Sequence, residues 1–227
     1  VVMTVRLFHI WLKNKIHMPV VKQTKEDIKQ ILSSYIPVKA IDSIADIIIG
    51  HAVMVKITRS RKRIHGTYRR PTPQQAHRIT INHDLNPYLF LITLLHEFAH
   101  MHAWQQKQSL QHNNIWKKCF ADLLMQYIDK DIFPSDVKSA LINHIPKITS
   151  SDFLDIDLTR ALLSYNKNCE EENDLVFLSD LPVDSCFMHN HKTFIKQKQL
   201  RKYFLCKELK TNRMYKYHPL AKVKQVV

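Results

Sequence analysis

A long apolar run, residues 88–103, carries two histidines and a glutamate near its middle: Leu94-Leu95-His96-Glu97-Phe98-Ala99-His100. Asn86-Pro87 stands just upstream, an asparagine N-cap followed by proline in the first turn, so the run is predicted to be a helix reaching about Gln106. Each helical residue advances ~100°, which places His96 and His100 ~40° apart on one face. Two imidazoles so placed can occupy two corners of a zinc tetrahedron, with Glu97 beside them to act on a bound water. The competing account is an amphipathic core helix with chance histidines, in a chain that has 14 of them.

Composition narrows the chemistry. The chain has 227 residues, enough for one good core or two smaller ones, and 45% of them are hydrophobic. Its formal charge is +14, which favours a polyanionic partner, most simply nucleic acid. Only Gly50 and Gly66 are glycines, so glycine-rich phosphate loops and dinucleotide fingerprints are excluded. Cys119, Cys169, Cys186 and Cys206 form no C-x-x-C pair, and free thiols in a reducing cytoplasm are expected. No run reaches the ~18 residues a membrane helix needs, so no membrane partner is expected. Residues 1–21 are apolar but interrupted by Arg6, His9, Lys13 and Lys15, without the pattern of a signal peptide. Met18 is taken as the native start and residues 1–17 as an added extension.

Further along, the pattern is mainly helical up to residue 165. Thr24 with Asp27 predicts an N-cap, and Ile28, Ile31, Leu32 and Tyr35 repeat at helical spacing. Ile41, Ile44, Ala45 and Ile48 line a second helix that Gly50 is expected to stop. Residues 52–58 and 76–82 predict strands, the second of which could support an extended substrate by β-addition. Between them, residues 59–70 hold six cations, Arg59, Arg61, Lys62, Arg63, Arg69 and Arg70, with Tyr68 among them and Gly66 as a turn. Such a loop can pair with phosphates and stack a base, although a solvated hairpin has the same composition. A helix is expected from about Gln111, and others from Pro134-Ser135-Asp136 and Ser151-Asp152. Residues 166–174 are polar and acidic and are assigned as a linker. From residue 175 the period is two, around Phe187, Phe194, Phe204 and Tyr215, with turns at Asn190-His191 and at Lys210-Thr211-Asn212. From Leu181 onward eleven Lys or Arg face only Asp184 and Glu208, so this small β module is strongly basic.

A catalytic zinc takes three protein ligands and leaves one position open. Ala103 and Gln106 occupy the positions where a metzincin needs glycine and histidine, and no glutamate lies between His100 and Tyr165. His102 points to roughly the opposite side of the helix. His112, after a polar loop long enough to reverse the chain, fits best as third ligand; Asp122 is the weaker option. For a second oxyanion donor the candidates are Tyr68, Arg69 and His77.

His96-Glu97-Phe98-Ala99-His100, followed by His112 with Trp116 and Lys117 behind it, resembles the SprT-like zinc metallopeptidases, relatives of the Spartan DNA–protein crosslink proteases. Thr67-Tyr68-Arg69, residues 77–82 and Thr93-Leu94-Leu95 are similar to that family's strand-then-helix entry. The tail, with Leu181-Pro182, Phe187, Phe194, Arg201, Cys206 and Tyr215, is similar to that of Bacteroidetes-type members. Asn113 departs from the glycine that commonly follows the third histidine, and the zinc ribbon of many members is missing. The resemblance implies an α+β fold: a mainly helical zincin-like metallopeptidase domain over residues 18–165 with a small sheet, then the basic all-β module over residues 175–227. It implies a Zn²⁺ endopeptidase with Glu97 as base and His96, His100 and His112 as ligands, cutting proteins associated with or crosslinked to DNA. Two alternatives stand beside it: a zinc peptidase with no nucleic-acid role, and a non-catalytic nucleic-acid-binding protein with a zinc site.

Overall fold

Asn86 does begin a helix. In the computed structural model of the chain, residues 24–61, 64–107, 110–148, 155–166 and 174–226 are described. Among them the fold is α+β, with six α-helices and two sheets. The chain divides into two compact units between Asn166 and Lys167. Residues 1–17, most of the expected linker, Lys62, Arg63 and the expected helix start at Ser151-Asp152 lie outside the described residues.

The first unit is built on α3 (Pro87–Lys107), of whose 21 residues 13 are buried. A helix apolar around most of its circumference belongs at the centre of a domain. It packs against strands β2 (Gly66–Arg69) and β3 (Arg78–Asn82) and against α4 (Asn114–Asp129). Phe90, Phe98, Trp116, Phe120 and Tyr127 fill that core, with Ile44, Ile48, Ile79 and Ile81 from the neighbouring elements. Asn86 does more than cap α3. Its Oδ1 accepts from Leu89 N at 3.0 Å, while its Nδ2 donates to the Leu162 carbonyl at 2.8 Å and to Asn166 Oδ1 at 2.7 Å. The helix start is thereby tied to α6 (Ile156–Leu163), which Asp155 caps.

Around α3 the local signals act as expected in most places. Thr24 and Asp27 form a reciprocal capping box on α1 (Lys25–Leu32). Helix α2 (Ile41–Gly50) ends where glycine stands, but the residue with positive φ is Ala52, at 49°, not Gly50. Helix α5 (Ser135–His144) follows Pro134. The three-stranded sheet has the order β1-β3-β2, with β1 (Met54–Thr58) parallel and β2 antiparallel to β3. Two expectations are corrected here. Gly66 is the first residue of a strand, paired with Ile81, and not a turn. Strand β3 is central, with partners on both sides, so it has no free edge for an added strand; among the described residues β2 is an edge.

The second unit is a six-stranded sheet in the order β4-β9-β5-β6-β7-β8. Its strands are β4 (Leu175–Phe177), β5 (Cys186–His189), β6 (Lys192–Gln199), β7 (Phe204–Glu208), β8 (Met214–Tyr217) and β9 (Lys222–Val226). Asn190 and His191 both have positive φ, the requirement of a tight hairpin turn between β5 and β6. Strands β4 and β9 were not expected; one is three residues long and the other is the polar Lys-Val-Lys-Gln-Val. Leu178, Leu181, Phe187, Phe194, Phe204, Cys206 and Val223 form its core. Lys196 joins them at 3% exposure, its Nζ donating to the carbonyls of Leu178 and Leu181 and lying 3.8 Å from the centre of the Phe204 ring. Burial holds its pKa below the ordinary lysine value. Among the described residues no helix is long and apolar enough to cross a membrane.

Replacing Asn86 by alanine removes a cap and strands a buried acceptor, the Leu162 carbonyl, and a half-buried one, Asn166 Oδ1. The Asn86→Ala chain should lose about 1–3 kcal/mol of stability, read as a lower urea midpoint. An unchanged midpoint would show that these bonds do not hold α3 to α6.

Candidate metal centre

Helical spacing places His96 and His100 one turn apart on α3. His112 arrives from the segment between α3 and α4, directly before the cap of α4. That cap is Asn113, whose Oδ1 accepts from Ile115 N and Trp116 N, each at 3.1 Å. Helix α4 therefore starts at Asn114, later than the sequence predicts. The asparagine standing at the expected glycine position is a strong N-cap, and it fixes the backbone beside His112.

The three imidazoles converge through their Nε2 atoms. His100 and His112 are 3.1 Å apart there, and His112 and His96 are 3.2 Å apart. The group could hold a metal ion. Hydrogen bonding alone accounts poorly for it, because a ring nitrogen either donates or accepts, and His112 Nε2 faces two partners. Zinc–nitrogen bonds of ~2.0–2.1 Å in a tetrahedron put neighbouring ligand atoms ~3.3 Å apart, close to the spacing found. His100 is only 8% exposed. Burial first, then the neighbouring His96 and His112, push its pKa down to about 3. A neutral imidazole is the form that offers a lone pair to a metal.

Trp116 backs the group. Its ring lies 4.3 Å from that of His112, edge-on, 4.7 Å from His96 and 5.4 Å from His100, with Phe120 stacked on it at 5.2 Å. Both aromatics are fully buried, so α4 and the triad share one apolar wall.

Glu97 is 4% exposed, next to two of the histidines on α3. Gly66 lies against it. A Cβ on Gly66 would meet Glu97 Oε1 at 2.6 Å, Thr93 Cγ2 at 2.8 Å and Glu97 Cγ at 3.0 Å. Its φ is not positive, so the close approach of strand to helix, and not backbone conformation, is what requires glycine here. Two residues on, Tyr68 lies parallel to the His100 ring at 6.3 Å, and its hydroxyl shares a 2.8 Å hydrogen bond with His77 Nδ1. Burial raises the Tyr68 pKa, so the phenol stays protonated.

The expected basic loop is divided by this arrangement. Gly66 and Tyr68 pair with the buried Ile81 and Ile79, so both face α3, and Tyr68 stands beside His100 instead of on a nucleic-acid loop. Arg61 is used inside the protein: its guanidinium donates to Asn82 Oδ1 at 2.8 Å, Thr80 Oγ1 at 3.1 Å and the His65 carbonyl at 3.3 Å. Arg59, Arg69 and Arg70 are exposed. Arg70 lies over the Trp104 ring at 5.0 Å, closing the β2–β3 connection onto α3. Trp104 follows His100 by four residues, a helical spacing that could have placed it on the same face. Asp122 is exposed on α4 and outside the group. His102 sits elsewhere, its ring 5.3 Å from His51.

His112→Ala should abolish stoichiometric divalent-metal binding measured by calorimetry, while Asp122→Ala binds as the unaltered chain does. Gly66→Ala should destabilise by about 1–3 kcal/mol through overpacking. Adding Glu97→Ala to it should return part of that loss, since the displaced carboxylate is gone; additive losses would place the strain elsewhere.

No family model matches the chain, and neither a curated protein nor a solved structure matches it.

Proposed function

We propose that this chain is a zinc-dependent endopeptidase of the SprT-like, zincin kind, acting on proteins associated with or crosslinked to DNA. The observation that carries the reading is His112 Nε2 at 3.1 Å from that of His100 and 3.2 Å from that of His96, beside a buried Glu97. A structural zinc is normally closed by four protein ligands, and among the described residues the group has three. When bound, zinc supplies a water of lowered pKa and a Lewis acid for the scissile carbonyl.

The protein's own part is positioning and proton transfer. Glu97 takes the proton of the attacking water on a carboxylate oxygen and returns it to the leaving amine. Gly66 keeps strand β2 close against that carboxylate, and the buried setting strengthens each charge interaction there. An extended substrate segment adds to the open edge of β2, the strand that faces both Glu97 and His100. Of the three candidates for a second donor to the developing oxyanion, Arg69 points to the other face of the sheet. Tyr68 and His77 remain together on the side of the metal ligands. The positive charge of the chain supports the nucleic-acid half of the reading, with the basic C-terminal sheet as an additional contact.

Glu97→Gln should keep metal binding and lower cleavage of a DNA-bound protein by at least about 100-fold, the usual scale of a lost general base. A chelator should abolish cleavage, and added Zn²⁺ should restore it. Cleavage that survives Glu97→Gln removes the mechanism; cleavage equal with and without DNA removes its nucleic-acid half.

A further inference from the structure

Strand register gives the three-stranded sheet a second face. Residues that pair in register share a face, and Val55, Ile57, Ile79 and Ile81 are buried on the side of the core. The opposite face is then Met54, Lys56 and Thr58 from β1, Arg78, Thr80 and Asn82 from β3, and Thr67 and Arg69 from β2. It carries cations and hydroxyls and no carboxylate. Arg61 crosses one end of it to reach Thr80 and Asn82.

Arg69 and Arg78 are direct cross-strand partners in this register. Like charges so placed, with Cβ atoms ~5 Å apart, are destabilising unless an anion lies between them. Among the described residues, neither Arg69, Arg78 nor Lys56 has an ion pair with a carboxylate. Arg78 Nε is buried and has no acceptor among the described residues, although an arginine offers five donors. A lone arginine pair would suit a single anion. Three cations spread over three adjacent strands, with Thr58, Thr67 and Thr80 among them, suit a run of them.

We infer that this outer face docks the phosphate backbone of nucleic acid. The face presents no aromatic ring on which a base could stack, so it holds the backbone without reading sequence. It lies on the back of the strand that borders the metal centre: Gly66 and Tyr68 face Glu97 and His100, while Thr67 and Arg69 face the phosphates. A bound duplex is thus one strand's thickness from the site where a protein attached to it would be cut. The inference rests on the nucleic-acid half of the proposed function and is independent of its peptidase half.

The test uses the full-length Glu97→Gln chain and a labelled mixed-sequence DNA duplex, with affinity read by anisotropy between about 0.05 and 0.2 M salt. Changing Lys56, Arg69 and Arg78 together to glutamine should weaken binding at least about tenfold and lower the salt slope by roughly 2–3. Far-UV circular dichroism and metal content should not change. Should the triple variant fail to fold, the exposed Arg69→Gln alone carries the test, with a slope lower by about 1. Lys118→Gln, Lys138→Gln and Lys147→Gln, made together on α4, on α5 and just after it, remove the same charge. An unchanged affinity and slope for the face variant overturns the inference, as does an equal loss from the matched charge control. Displacement of the duplex by an equal charge of polyglutamate also overturns it, since the occupant would then be an acidic polypeptide. A chain that binds duplex through this face and cleaves nothing leaves the inference standing and removes the peptidase reading.

Discussion

Three imidazole nitrogens, with His112 Nε2 at 3.1 Å from that of His100 and 3.2 Å from that of His96, are the constraint around which the first unit is arranged. Burial, with His96 and His112 beside it, drives the His100 pKa down to about 3, so a proton there would put a charge among the rings with little water to stabilise it. A cation held by the three rings would remove the conflict. The neighbours are consistent with holding that arrangement. Trp116 and Phe120 form an apolar wall that confines the rings, and the Asn113 cap sets where α4 begins relative to His112. The buried length of α3 keeps His96 and His100 from turning outward.

The small sheet serves both sides of this centre because its side chains alternate. Along β2, Gly66 and Tyr68 point to the helix while Thr67 and Arg69 point away, and the four-residue strand belongs to two surfaces at once. Gly66 lets the strand come so near α3 that any side chain there would strike Glu97. Tyr68 and His77 then lie on the side of the three histidines, and Arg69 and Arg78 on the other. Arg61 and Asn82 fasten the connection between β1 and β2 to the sheet, with Asn82 Nδ2 donating to the carbonyls of Arg61 and Ile64. A segment that reads as one basic loop is in this way divided between a site, a brace and a surface.

The second unit is organised by a different device. Lys196 and Glu208 are buried in a small β core, and each has its polar atoms engaged. Lys196 closes the carbonyls of Leu178 and Leu181, and Glu208 gathers Thr211, Tyr215 and Lys192. A buried charge is tolerated only when it is so matched. These two residues fix a turn and a hairpin in a domain too small to do so by apolar burial alone.

What the sequence determined by itself was chiefly local. The caps at Thr24 and Asn86, the helical run through His96 and His100, and the alternating strands around Phe187, Phe194 and Phe204 are legible because propensity, capping and periodicity act over a few residues. The i, i+4 spacing placed two histidines on one face before any fold was known. Tertiary structure decided everything that depends on chains meeting. Ligand spacing made His112 only the better of two candidates, and the return of the chain through Asn113 brings it to the other two while Asp122 stays at the surface. Gly66 looked like a turn because glycine most often relieves backbone strain; its use here is to leave room for Glu97, a contact across 31 residues of chain that no local pattern records. The basic segment could not be divided from composition, since which arginine faces core, sheet or solvent follows from strand register, and register is set by the buried isoleucines of the partner strands.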